Sequence, residues 1–324
     1  MSEREPNLHK SMDYVCVICK KEIYDTCECG TPYCGVEHQR LHWTRGGHRY
    51  SQHHIAGSTA VRWDEKLVVD FYRTGTEIGR GGFGTVYANE AYPGVAIKYS
   101  QSIVSCAAFG SEFEIAQRIQ SAVEQHGFTD PNVEVVKVLA EVRDIRSLHA
   151  DKTWCALVMH RVLRPRIEFG ASNNMSYQAY IGEEGEARSY PGRGNYIGPE
   201  LIAEVVAPVK LKRIATSLGR LMGFLHYYAK VGATDMEYIL GTDATDDTAR
   251  IFALDFDRVK PIENYRGNTV EDLQWSMSAE PYFPMPEHAI FSSFERAYID
   301  MAASAGAKDV AEKVMEAYRM ETKL

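Results

Sequence analysis

The spacing of hydrophobic positions changes several times along the chain and predicts a mixture of helices and strands. Residues 111–126 and 208–230 place apolar side chains every three or four positions, which is the spacing of one face of an amphipathic helix. Residues 133–142, 154–162 and 250–254 are short and rich in β-branched and aromatic side chains, which favours strands. Both helices and strands are therefore expected in the folded chain.

The same patterns divide the chain into three parts. Residues 1–55 are rich in cysteine and histidine, residues 56–163 hold most of the predicted strands, and residues 164–324 hold the stronger helix. Residues 55–75 carry no strong periodicity, so we interpret them as a connector that enters the second part. Residues 163–207 are irregular and rich in glycine, asparagine and serine.

A glycine pattern opens the second part of the chain. Gly79, Gly81 and Gly84 have the spacing G-x-G-x-x-G and lead into a strand-like segment, whereas a dinucleotide-binding loop would open a helix. The next strand-like segment ends in Lys98. Glycine lets the backbone approach phosphate oxygens, and a lysine on the neighbouring strand can reach the phosphates as a point charge. The stretch predicts a purine-nucleotide site, with an ordinary glycine hairpin as the plain alternative.

Two acidic elements follow the second predicted helix. Asp235 and Glu237 lie in an Asp-Met-Glu run, and Asp255 directly follows the strand 250–254 in an Asp-Phe-Asp run. Together with the glycine hairpin and Lys98, this order resembles a protein kinase. The His-Arg pair before the catalytic aspartate, the asparagine after it and the glycine of Asp-Phe-Gly are absent from this chain.

The kinase resemblance implies a two-lobed α+β domain, with an N-lobe over residues 56–163 and a helical C-lobe over residues 164–324. It implies that the glycine hairpin and Lys98 hold the phosphates of ATP and that Asp255 coordinates magnesium. An acid of the helix 111–126, either Glu112 or Glu114, is expected to pair with Lys98. We place Glu114 in the nucleotide-binding set.

The N-terminal part carries eight candidate metal ligands in four successive pairs. They are Cys16, Cys19, Cys27, Cys29, Cys34, His38, His42 and His48. Thiolates and imidazoles suit tetrahedral zinc, and eight of them fit two ions. The order resembles the cross-braced MYND, AN1 and HIT fingers, and that resemblance assigns Cys16, Cys19, Cys34 and His38 to one ion and the other four to the second. His53 and His54 are rival ligands. A segment of this kind depends on metal to fold, and it serves to dock a protein partner or, alternatively, RNA.

Composition limits the partners and the compartment. The net charge of −8 provides no broad basic field for nucleic acid or membrane, so any contact with RNA needs a local patch. No apolar run reaches the roughly 20 residues that span a bilayer, and the polar N-terminus lacks a signal peptide. We therefore expect a cytoplasmic protein without a membrane partner. Five of the seven cysteines fall between Cys16 and Cys34, which favours metal over disulfides there.

The acidic runs carry a second resemblance. The segments Asp235–Gly241 and 254–257, with the Pro-Tyr-Phe-Pro-Met-Pro run at 281–286, are similar to a fungal family of "zinc finger" proteins, over roughly residues 75–300. We associate that family with arginine-containing cyclodipeptide synthases. The resemblance implies a secondary-metabolism transferase that uses arginyl-tRNA and a second aminoacyl-tRNA to make cyclo-Arg-Xaa. It implies catalytic roles for Asp235 and Glu237, and we include Asp255 in the same set.

The residues leave three functions open. A kinase-like adenine slot could hold the terminal adenosine of a charged tRNA, while Asp235 or Glu237 binds the arginine guanidinium or accepts a proton from the attacking amine. Alternatively, the chain is an atypical kinase that binds ATP and magnesium, or a pseudokinase-like adaptor whose zinc finger docks a partner. In the last case Asp235 and Glu237 only stabilise their loop.

Overall fold

The computed structural model describes residues 63–100, 102–146, 148, 154–163, 211–242, 248–264, 269–278 and 282–321, together with the short strands Asp25–Thr26, Pro32–Tyr33, Tyr177–Ala179, Arg188–Ser189 and Asn195–Ile197. The chain divides into two compact units, Met1–Arg62 and Trp63–Leu324. In the first unit, β1 (Asp25–Thr26) pairs with β2 (Pro32–Tyr33) in antiparallel fashion. The eight predicted zinc ligands lie outside the described residues.

The second unit alternates helices and strands. In chain order its elements are α1 (Glu65–Thr74), β3 (Thr76–Arg80), β4 (Thr85–Ala88), β5 (Val95–Ser100), α2 (Ile103–His126), β6 (Val133–Val135), β7 (Val138–Ile145), β8 (Trp154–His160), β9 (Tyr177–Ala179), β10 (Arg188–Ser189), β11 (Asn195–Ile197), α3 (Leu211–Phe224), a π-helix (Leu225–Ala229), β12 (Val231–Gly232), β13 (Glu237–Gly241), β14 (Arg250–Leu254), β15 (Lys260–Pro261), a 3₁₀ turn (Ile262–Asn264), α4 (Thr269–Ser278), α5 (Phe291–Ser304) and α6 (Lys308–Glu321). The mixed composition and the antiparallel sheets confirm the predicted α+β class. None of the helices in these ranges is long and apolar enough to cross a bilayer.

A five-stranded antiparallel sheet forms the first half of this unit. Its strand order is β3-β4-β5-β8-β7, and every residue of the central strand β5 is buried. Lys98 on β5 stands opposite Val86 on β4 and Leu157 on β8. The glycine pattern covers the end of β3, where Gly79 lies, and the turn that leads into β4.

Helix α2 packs across this sheet, and its ends are fixed by local hydrogen bonds. The Ser102 side chain accepts from the Ser105 amide at 3.0 Å, which caps the first turn. Gly127 adopts a left-handed φ of 64° and its N–H bonds to the carbonyl oxygen of Val123, which ends the helix. The Arg118 side chain then ties the helix to the rest of the unit through Ala229 and Glu263.

A second sheet and a group of helices complete the unit. The sheet has the order β10-β11-β9-β13-β14-β6, and α3 packs extensively against α5. One hydrophobic core joins the two halves, because Phe109 and Leu157 belong to the same buried cluster as Leu218 and Phe294. The helices α5 and α6 follow at Phe291–Ser304 and Lys308–Glu321.

A buried polar group lies where α3 passes into the π-helix. His226 is fully buried, with Nδ1 2.8 Å from the Tyr298 hydroxyl and Nε2 3.2 Å from the Ser276 hydroxyl. Burial lowers the pKa of His226 to about 3, so the ring is neutral at physiological pH. The Tyr227 hydroxyl also bonds to Tyr298, and the group is satisfied without a charge.

Two predictions about local structure were wrong. Residues 65–74 form α1 rather than a plain connector, because Asp64 caps the helix and Val68 and Phe71 are buried on one face. The single strand predicted over 133–142 is divided: β6 pairs with β14 in the second sheet, whereas β7 pairs with β8 in the first. β-Branched residues suit both sheets, so the pattern cannot reveal the break.

Candidate functional site

The structure brings Lys98 and Asp255 together although 157 residues separate them. The Lys98 Nζ atom lies 2.7 Å from Asp255 Oδ1 and 3.0 Å from Glu112 Oε2. Glu112 is only 1% exposed and Lys98 only 7%, so this is a buried ammonium between two carboxylates. The contact joins the first sheet, helix α2 and the end of β14 at one point.

Glu112, and not Glu114, is the partner of Lys98. Glu112 lies on the buried side of α2 with Phe109 and Ala116, whereas Glu114 is two positions further on and exposed. Two residues turn a helix by about 200°, so both acids cannot face the sheet. The pairing with Lys98 that was expected of Glu112 or Glu114 therefore belongs to Glu112.

The charges of this group depend on one another. Burial opposes the charge on Lys98, but the carboxylates of Glu112 and Asp255 outweigh it and hold the pKa of Lys98 above its ordinary value. Burial raises the pKa of Glu112 to about 7, against the lowering effect of Lys98 and with a further rise from Asp255. Lys98 therefore stays charged at neutral pH, while Glu112 is a weaker acid than an exposed glutamate.

The glycine hairpin needs its last glycine for packing and leaves its tip open. A Cβ atom on Gly84 would lie 2.5 Å from the carbonyl oxygen of Tyr99 and 3.1 Å from the Phe109 ring, whereas Gly81 and Gly82 have nothing within 4 Å. The Gly81 N–H donates to the Gly84 carbonyl oxygen at 2.9 Å and closes the turn. At Gly79, where β3 is bulged, a Cβ would make only ordinary contact, 3.9 Å from Val86.

The Asp-Met-Glu run from Asp235 to Glu237, here called the acidic loop, adjoins the end of β14 in the second sheet. Glu237 on β13 stands opposite Leu254 on β14, so its backbone adjoins that of Asp255, the residue that follows β14. Asp235 and Asp255 adopt left-handed φ values of 62° and 61°. Such a conformation is uncommon outside glycine and clusters at functional sites. The predicted catalytic residues therefore come from adjoining backbone segments.

Two residues that sequence reasoning missed also belong to this region. Burial raises the pKa of Asp257 to about 6, with a further rise from Asp255 and an opposing effect of Lys98. Arg258 binds Asp235, with 3.0 Å between Nε and Oδ2, and its guanidinium lies 5.9 Å from the centre of the Phe83 ring. The replacement of the kinase glycine by Asp257 was visible in the sequence, but its burial was not.

A cavity of about 780 Å³ opens between α2 and the segment that follows Asp255. Its lining combines acidic, basic and apolar side chains, including Glu114, Arg118, Asp257 and Lys260. Asp257 thus faces this cavity while it also senses the charges around Lys98.

A disulfide between Cys106 and Cys155 ties the first turns of α2 to β8. From the sequence we expected disulfides to be disfavoured, and we considered only the N-terminal cysteines as a cluster. The two cysteines are 49 positions apart in the sequence. They can meet only because α2 packs across the sheet that contains β8.

Two kinds of metal site were predicted, zinc at the N-terminal cysteines and histidines and magnesium at Asp255. Within them, no group of three or more histidine, cysteine, aspartate or glutamate side chains could hold an ion. Asp255, the predicted magnesium ligand, contacts Lys98 through one of its carboxylate oxygens. The two zinc sites remain predictions because their ligands lie outside the described ranges.

No protein-family model and no curated protein matches this chain.

Proposed function

We propose that this protein is an aminoacyl-tRNA-dependent cyclodipeptide synthase that joins arginine to a second amino acid as cyclo-Arg-Xaa, on a kinase-like two-lobed scaffold. The contact of Lys98 with both Asp255 and Glu112 under the glycine hairpin is the observation that carries the proposal. In protein kinases a strand lysine pairs with a helix glutamate near the aspartate that serves the phosphates of ATP. The same set of groups suits the adenosine and phosphate at the 3′ end of a charged tRNA.

The rest of the site lacks a group that phosphoryl transfer uses, and it contains carboxylates that suit the joining of arginine to a second amino acid. Phosphoryl transfer relies on metal ions and a positioned hydroxyl, and the asparagine that would help to hold a second magnesium is absent. In its place the chain offers carboxylates with different pKa values. Asp235 already binds a guanidinium, that of Arg258, and the backbone of Glu237 adjoins that of Asp255. Carboxylates bind guanidinium groups through charge-assisted hydrogen bonds, which gives arginine a reason to be one substrate.

Peptide-bond formation needs a base that works near neutral pH. The α-amine of one aminoacyl-tRNA attacks the ester carbonyl carbon of the other, a C–N bond forms, and the bond to the ribose oxygen breaks. The amine proton passes to a carboxylate and then to the leaving ribose hydroxyl. Asp257, with a pKa of about 6, is suited to this transfer, because catalytic groups work best near the operating pH. A second attack by the free amine closes the ring and releases the second tRNA.

The test supplies tRNA, arginine, a mixture of amino acids and the corresponding synthetases to the full-length chain. The expected product is a cyclo-Arg-Xaa dipeptide, identified by mass spectrometry and abolished by prior RNase treatment. The variants Asp235→Asn and Glu237→Gln are expected to lower the rate at least tenfold. Asp300→Asn, an exposed acid on α5, serves as the control and should retain the parental rate. A product that survives RNase, or the absence of any product, would contradict the proposal.

The buried lysine group also favours a second candidate, an ATP-dependent kinase. Lys98, Glu112 and Asp255 meet as the kinase arrangement requires, and magnesium often binds through one or two carboxylates together with phosphates. This candidate predicts a rise of melting temperature with ATP and magnesium that Lys98→Ala and Asp255→Asn both abolish. If ATP and magnesium do not raise the melting temperature of the parental chain, the kinase candidate is excluded.

A further inference from the structure

Arg258 bridges two segments that border the proposed site. Its Nε atom bonds to Asp235 in the acidic loop, and its guanidinium lies against the ring of Phe83 at the tip of the glycine hairpin. Phe83 is itself half-buried against the core, so the ring is not a freely moving side chain. One side chain therefore connects the hairpin tip to the loop that bears the predicted catalytic acids.

The surroundings of this guanidinium are those of a guanidinium-binding subsite. A carboxylate pairs with the guanidinium through Nε, and an aromatic ring attracts its charge. Planar, weakly hydrated arginine groups fit this combination better than ammonium groups do.

We propose that Arg258 is a built-in competitor, which occupies the subsite between Asp235 and Phe83 that receives the guanidinium of an arginyl substrate. The inference rests on the proposed function, because it assigns the substrate's cationic group to one place in that site. The chain's own arginine closes the subsite, and the substrate displaces it. Arg258 acts on the substrate only through Asp235 and Phe83.

The closure is weak, so displacement is easy. The side chains of Arg258 and Asp235 are 61% and 44% exposed. Exposed pairs of this kind shift an equilibrium by a factor of about 1.5 to 5. The open form is the one in which Arg258 has left Asp235. A ligand that binds only this form loses affinity in proportion to the fraction of molecules that are open, so removal of Arg258 should raise the affinity by a factor of the same size.

The experiment measures binding of arginine methyl ester to the full-length chain by calorimetry, without tRNA. This ester carries the guanidinium and an esterified carboxyl. Arg258→Gln and Arg258→Ala are both expected to bind it about 1.5 to 5 times more tightly than the parent, and Asp235→Asn to bind it at least fivefold more weakly. Citrulline methyl ester, with a neutral urea in place of the guanidinium, should show no gain in either Arg258 variant.

Arg143→Gln is the matched control, because Arg143 is also 61% exposed and also contacts a carboxylate, that of Glu141, through Nε. It should bind the ester as the parent does. Unchanged or weaker binding in the Arg258 variants, an equal gain in Arg143→Gln, or no binding in any variant would overturn the proposal.

Failure of this inference and failure of the proposed function can be distinguished. Tighter ester binding in the Arg258 variants without any product from charged tRNA would support the subsite and reject the synthase. Product formation with no change in ester binding would support the synthase and reject the subsite.

Discussion

Lys98→Met tests whether a buried ammonium between two carboxylates holds the first sheet, α2 and the end of β14 together. Removal of one partner of a buried ion pair leaves an uncompensated charge and typically costs about 3–5 kcal/mol. Glu112 is that residual charge here, because it is 1% exposed, whereas the Asp255 side chain is 30% exposed and can be solvated. For a unit of this size, each kcal/mol lowers the melting temperature by about 2–4 °C, so a fall of about 6–20 °C is expected.

The sign of the pH dependence follows from Glu112. Burial raises its folded pKa above the unfolded value of 4.5, to about 7, and loss of the Lys98 charge removes the effect that opposes this rise. An acid with a raised folded pKa contributes stability at low pH that is lost as the pH rises through the folded pKa. The stability difference between Lys98→Met and the parent should therefore be small at pH 5.5 and largest at pH 8.5.

The assay is urea denaturation followed by tryptophan fluorescence at both pH values. Lys98→Met/Glu112→Leu removes both charges, and it is expected to recover at least half of the loss at pH 8.5. Lys137→Met, an exposed lysine, should stay within about 0.5 kcal/mol of the parent. A Lys98→Met protein within about 1 kcal/mol of the parent at pH 8.5, or a double variant less stable than the single one, would refute the reasoning.

Three further predictions follow from other parts of the chain. Gly84→Ala should destabilise the fold by about 1–3 kcal/mol in urea denaturation, since the new Cβ meets the backbone of Tyr99, whereas Gly82→Ala should be neutral; equal effects would contradict this. The depressed pKa of His226 gives stability that is present above pH 6.5 and lost as the pH falls toward 3, at about 1.4 kcal/mol per pH unit, and His226→Asn should flatten that slope; an unchanged slope would exclude His226 as its source. Elemental analysis should find about two zinc ions per full-length chain, and Cys34→Ser should lose at least one; one ion or none in the parent would show that the cross-brace assignment is wrong.

The sequence predicted the strands around Lys98 well because glycine spacing and β-branched runs are local signals. It left the partner of Lys98 open between Glu112 and Glu114, and placed Glu114 in the nucleotide-binding set, because the predicted helix began at residue 111, whereas α2 begins at Ile103. The additional turns contain Phe109, which is fully buried and fixes which face of α2 meets the sheet. With Phe109 known to be inside, Glu112 lies on the same face three positions later.

The remaining features depend on contacts between distant segments. The Cys106–Cys155 disulfide, the burial of Asp257 and the contact of Arg258 with Phe83 all require the sheet and α2 to be placed first. Each involves residue types that are common on ordinary surfaces or in ordinary cores. A periodic pattern carries no information about such pairs, because it reports only which side of an element is buried.

The difference in exposure within the site separates a structural role from a chemical one. Lys98 and Glu112 are buried and contribute to the stability of the fold, so a substitution at either residue changes folding and chemistry together. Asp235 is partly exposed and holds a left-handed φ of 62°, which asparagine adopts at least as readily as aspartate. Asp235→Asn should therefore melt at the parental temperature. If that variant also loses product formation, the carboxylate of Asp235 is required for chemistry rather than for folding.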